Sequence, residues 1–60
     1  MLTREQARQA IIDYMEDNDL NQSEMGELLG VKGAAVCRWV NGTRNIGYNT
    51  TLKLMELLTK

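Results

Sequence analysis

Sixty residues with 43% hydrophobic and 25% charged side chains describe one small globular domain, too short to bury more than about 60% of the surface its unfolded form exposes. The formal charge is −1, there is one cysteine and there is no histidine, which excludes an intrachain disulfide, a histidine metal cluster and histidine-based acid–base chemistry. No stretch is apolar enough to span a bilayer and the first ten residues, MLTREQARQA, lack a secretory core, so the expected setting is a reducing cytoplasm with no membrane partner.

The first helix is expected over residues 3–17. Thr3-x-x-Gln6 fits a capping box, in which a hydroxyl and an amide side chain satisfy backbone N–H groups left open at a helix start. Ala7, Ile11, Tyr14 and Met15 form its apolar stripe, Arg4, Arg8, Asp13 and Glu16 cover the other side, and Asn18-Asp19 break it. The second helix is expected over 22–29. Asn21 with Glu24 makes a second capping box, and Leu20 with Met25 fits a hydrophobic staple. Met25, Leu28 and Leu29 share one face, and Gly30 closes the helix where a positive φ is needed.

The third helix is expected over 33–41, stopped by Gly42. Lys32 is a poor N-cap, so its start is weakly held. Val36 and Trp39, three apart, face inward against the first and fourth helices. Ala34, Cys37, Arg38 and Asn41 then share the opposite side at spacings i, i+3, i+4 and i+7. After a loop over 43–48, Asn49 or Thr50 caps a fourth helix over 50–58, with Leu54, Leu57 and Leu58 as its main stripe, joined by Leu52 and Met55.

Charge is unevenly spread. Residues 1–30 carry two basic and seven acidic side chains, whereas residues 31–60 carry five basic and one acidic. Such asymmetry implies one face that meets phosphates and one that repels them. A short helix, a tight glycine turn and a second helix with a small, polar outer face form the arrangement that places a helix in the major groove.

The segment from Gln22 to Asn41 resembles the helix-turn-helix of the Cro and phage-repressor family, also called lambda-repressor-like or XRE-type DNA-binding domains. The residues that carry the resemblance are Gln22 at the start of the first motif helix, Leu29-Gly30-Val31 at the turn, Val36 in the buried mid-helix slot, and Arg38-Trp39-Val40-Asn41-Gly42 closing the recognition helix. The similarity extends over roughly residues 3–58 and is strongest over 21–42. Two positions depart from the family pattern: Gly26 stands where alanine is usual, and Gly33-Ala34 replace longer polar residues that commonly read bases. The fifth helix often found in the family is not expected in this chain.

The resemblance implies an all-α, compact four-helix domain that binds duplex DNA and regulates transcription, with no cofactor, metal or small-molecule substrate. It implies a phosphate contact for Gln22. Lys32 at the turn and Arg44 in the loop are further phosphate candidates, and Lys53 is a weaker one. Arg38 is the chief base-reading candidate, since its guanidinium fits guanine O6 and N7 or a phosphate. Gly33 and Ala34 would allow close approach, Ala34 toward a thymine methyl. Cys37 offers a weak or apolar contact, and Asn41 either bonds DNA or simply ends the helix. Val40, Ile46 and Tyr48 are expected to form an apolar patch that pairs two copies, so the operator would be a near-palindrome read by a homodimer. Repression by occluding polymerase is the expected outcome, because sixty residues leave no room for a ligand-sensing domain.

Two other functions compete with this one. The first is a protein-interaction module on the same fold, such as an antitoxin-like or regulatory partner, which the small groove residues and negative charge would suit. The second is an enzyme, which lacks support: there is no base to activate Cys37, no phosphate loop, and Glu16-Asp17-Asn18-Asp19 lacks the ligand spacing of a calcium loop.

Overall fold

The computed structural model describes residues 2–59. Four helices make up its regular structure: α1 (Arg4–Asp17), α2 (Gln22–Leu29), α3 (Gly33–Asn41) and α4 (Tyr48–Leu58), with no strand among the described residues.

Both expected capping boxes form. Thr3 Oγ1 accepts from the Gln6 amide at 3.1 Å while the Gln6 side chain accepts from the Thr3 amide at 2.9 Å. Asn21 and Glu24 repeat the exchange at 2.8 and 2.9 Å, which sets the first residue of α2.

The first three helices end in one way. A residue with positive φ follows each: Asp19 (φ 52°), Gly30 (74°) and Gly42 (78°). The next amide then bonds back to a carbonyl inside the helix, Leu20 to Met15 at 2.8 Å, Val31 to Gly26 at 2.8 Å and Thr43 to Arg38 at 3.0 Å. This double-bonded C-cap reverses the chain sharply and, after α1 and α2, returns an apolar residue to the core. Leu20 and Val31 are both packed on the core by it.

Ala7 and Ile11 of α1, Met25 and Leu29 of α2, Val36 and Trp39 of α3, and Leu54 of α4 form the buried core. Their i, i+3 and i+4 spacings bring them to single faces of the helices. Tyr14, Met15, Leu20, Val40, Ile46 and Leu57 pack around it, half-buried. Leu28, expected on the same face as Met25 and Leu29, is 41% exposed. The i, i+4 pair Met25 and Leu29 sets the inward direction, and Leu28 falls beside it.

The fourth helix departs most from expectation. It starts at Tyr48, two residues before Thr50, and neither Asn49 nor Thr50 caps it. Gly47 is the N-cap and supplies no side chain; its carbonyl accepts from the Thr51 amide at 2.9 Å and from the Thr51 hydroxyl at 2.8 Å. The loop between α3 and α4 is shortened accordingly. Only Leu54 of the expected leucine stripe is fully buried, while Leu52 and Leu58 remain 40% and 44% exposed. Leu52 and Leu54 are two residues apart and so lie on nearly opposite sides of a helix. α4 lies chiefly against α1 and α2, α3 packs on α2 and α1, and Trp39 lines a cleft with Arg4, Arg8 and Ile11 of α1.

Candidate nucleic-acid interface

The α2–α3 unit is held by close backbone approach. A Cβ built on Gly26 would stand 2.6 Å from the Val31 carbonyl oxygen and 3.0 Å from the Lys32 carbonyl carbon. The glycine therefore lets the turn over residues 30–32 lie directly on α2. The helix propensity that a glycine forfeits is accompanied here by this gain in packing. Gly33 has a similar origin. A Cβ there would meet the Cα, N and Oγ of Ser23, each at 3.1 Å. The absent side chain of Gly33 thus faces α2, and its smallness serves the seating of α3.

With α3 seated in this way, its two sides differ sharply. Val36 is wholly buried and Trp39 is 7% exposed. Ala34, Arg38 and Asn41 are exposed on the far side, and Cys37 is half-buried between them. Asn41 Nδ2 donates to Cys37 Sγ at 3.3 Å, which fixes the amide against the helix one turn back. Arg38 keeps its side chain in solvent while its carbonyl anchors the loop. That oxygen accepts from the amides of Thr43 at 3.0 Å and Arg44 at 3.3 Å and from Thr43 Oγ1 at 3.2 Å. The loop carrying Arg44 is thereby tied to the end of α3, and Arg44 is exposed.

Gln22 is exposed at the first turn of α2, and Lys32 is exposed immediately before α3. Lys32 makes no side-chain cap and α3 has no acid in its first turn, so the first amides of α3 have no capping oxygen from that residue. Gln22, Lys32, Ala34, Arg38, Asn41 and Arg44 are therefore all available at the surface, whereas Gly33 is partly covered by Ser23.

The three residues expected to pair two copies lie in different settings. Val40 is half-buried and lines an apolar depression with Ile12, Met15 and Leu20 of the α1 side. Ile46 is half-buried and lines a separate cleft beside Trp39. Tyr48 is 64% exposed at the start of α4, one turn before exposed Leu52.

One contact has no local signal in the sequence. Arg8 of α1 donates Nε to the Val40 carbonyl at 2.8 Å, tying the two helices together and placing a cation at the negative end of α3. The regular spacing of Arg4 and Arg8 marks a shared helical side, but nothing within α1 indicates that this side meets the end of α3. Among the described residues no group of three or more His, Cys, Asp or Glu side chains is placed to hold a metal, and no helix is long and apolar enough to cross a membrane. Comparison of the chain with protein-family models, curated proteins and solved structures finds no match.

Proposed function

We propose that the chain is a sequence-specific duplex-DNA-binding regulator of the Cro and phage-repressor type, acting in the cytoplasm. Residues 22–41 serve as its helix-turn-helix, on a lambda-repressor-like fold, with α3 as the recognition helix. One observation carries this: Val36 and Trp39 are buried while Ala34, Arg38 and Asn41 stand exposed on the opposite side of the same short helix. An α-helix fits the major groove, and small residues at its leading end permit close approach. Gln22, Lys32 and Arg44 hold phosphates and fix orientation. Arg38 reads guanine, Ala34 meets a thymine methyl, and Cys37 and Asn41 lie along the same edge. Sequence-dependent DNA shape supplies discrimination where Gly33 and Ala34 offer no hydrogen bond.

Size argues for two copies. The backbone spans 28 × 25 × 18 Å, less than one turn of B-DNA, which is about 34 Å. One copy covers a single half-site, and a homodimer reads a near-palindrome. The exposed Tyr48, with Leu52 one turn on, supports self-association; Val40 and Ile46, which line separate depressions, do not join it in one patch.

Selection of bound duplexes from a random pool tests this reading. The expected product is a near-palindrome with half-sites about one helical turn apart. On that duplex Arg38→Ala costs about 1–3 kcal/mol and relaxes preference at one base pair if Arg38 reads it. Equal weakening on every sequence would reassign Arg38 to a phosphate. Absence of saturable duplex binding at low salt overturns the reading. It would favour the alternative, a protein-interaction module, for which the exposed Tyr48, Leu52 and Leu58 of α4 speak.

A further inference from the structure

The cleft that contains Ile46 has a chemistry of its own. Its volume is about 210 Å³, and its lining includes Arg4, Arg8 and Arg44, with Trp39 and Ile46 as apolar walls. Glu5 supplies the one carboxylate on that lining among the described residues. Guanidinium groups do not lose their charge in proteins, so three arginines against one glutamate give the residues lining the cleft a surplus of two positive charges. This surplus occurs in a chain whose overall charge is −1, and on the side of α1 that leads away from the acids at its far end.

Arg8 is held in place. Its Nε is committed to the Val40 carbonyl, so its remaining N–H groups are directed by that bond. Arg44 is fixed through its backbone, whose amide bonds to the Arg38 carbonyl at 3.3 Å. Arg4 lies one helical turn before Arg8, on the same side of α1. Two elements distant in sequence thus bring three arginines to the lining of one cleft.

We infer that this cleft is a phosphate-binding site. A phosphate monoester carries a charge of about −1.5 to −2 at neutral pH, which balances the surplus, and its oxygens accept from several guanidinium forks at once. A carboxylate would leave one positive charge unbalanced. The phosphate belongs either to a DNA strand or to a free phosphorylated molecule, and the site does not require α3 to read DNA. It shares Arg44 with the proposed duplex contacts, so Arg4 is the residue that separates the two.

Trp39 is the only tryptophan of the chain and lines the cleft, so its fluorescence reports occupancy directly. Inorganic phosphate is titrated into the full chain at constant ionic strength, with sodium chloride as the matched control. The expected result is a saturable change of Trp39 emission with phosphate and none with chloride. Arg4→Gln weakens that binding by about tenfold or more, the usual contribution of a charge-assisted hydrogen bond, while the urea midpoint stays unchanged. Glu56→Gln, a one-charge change at an exposed residue outside the cleft, leaves the titration as it was. A response to chloride equal to that of phosphate, or an Arg4→Gln curve that overlays the parent, overturns the inference.

A duplex arm identifies the source. If a DNA strand supplies the phosphate, Arg4→Gln lowers the slope of log affinity against log salt by about 1. If the phosphate is free, that slope is unchanged and phosphate still binds the duplex-bound protein. Both results keep the site. Complete failure to bind duplex would sink the proposed function and leave the phosphate titration to be judged alone.

Discussion

The α2–α3 unit and α4 are both short amphipathic pieces, yet they are held by different means. In α2–α3 the specification is local and redundant. A capping box starts α2, positive-φ glycines end both helices, and Gly26 and Gly33 allow backbone to lie on backbone. α4 has a glycine N-cap without a side-chain bond and more leucines than one face can cover. A surface that must hold a fixed outline is therefore built from backbone constraints. A helix docked mainly through one leucine leaves apolar side chains in solvent.

The largest expected effect lies within α4. Leu54→Ala, at a wholly buried position, should cost about 2–5 kcal/mol, a large part of what a domain this size possesses. Leu52→Ala, two residues away but 40% exposed, should cost less than about 1 kcal/mol. Urea denaturation of both variants checks the pair. Similar losses would show that α4 does not dock through Leu54 alone.

Gly26→Ala probes the other region and sets two effects against each other. Alanine raises helix propensity by about 1 kcal/mol over glycine. The new Cβ would meet a backbone oxygen at 2.6 Å, and a backbone atom does not yield as a side-chain tip does. Net destabilisation of about 1–2 kcal/mol is expected, typical of overpacking. A stabilised variant would show that the turn does not rest on α2.

These two regions also differ in what is legible from the sequence. The bounds of α2 and α3 are readable because Asn21, Glu24, Gly30 and Gly42 act through bonds to neighbours within a few residues. The inward pair Val36 and Trp39 is readable from spacing alone. The start of α4 is not, because Asn49 and Thr50 are good caps by type, whereas Gly47 offers no capping side chain and its carbonyl accepts both the Thr51 amide and the Thr51 hydroxyl. The roles of Gly26 and Gly33 are hidden for a related reason. Their neighbours, Val31, Lys32 and Ser23, meet them only once the turn has formed. Arg8 illustrates the limit most clearly, since its partner Val40 is 32 residues away.

Smaller effects are expected at the helix starts. Asn21→Ala removes a formed cap from α2 and should cost about 0.5–2 kcal/mol. Gly47→Asp adds a capping side chain to α4 and should stabilise by a few tenths of a kcal/mol. Thermal melting resolves both signs, and a gain from Asn21→Ala would contradict the capping geometry of α2. Tyr48→Asp should leave stability within about 0.5 kcal/mol, because the side chain is 64% exposed, while reducing self-association in sedimentation. Persistence of dimers at the same concentration would place the contact elsewhere.

The most direct test of α3 as a groove-reading helix is a map of amide shift changes as the chain is titrated with its selected duplex. The expected map covers Gln22, residues 32–41 and Arg44, and leaves Asp13, Glu16 and the leucines of α4 unmoved. Changes concentrated on α4, with Ala34 and Arg38 silent, would contradict a groove-reading role for α3.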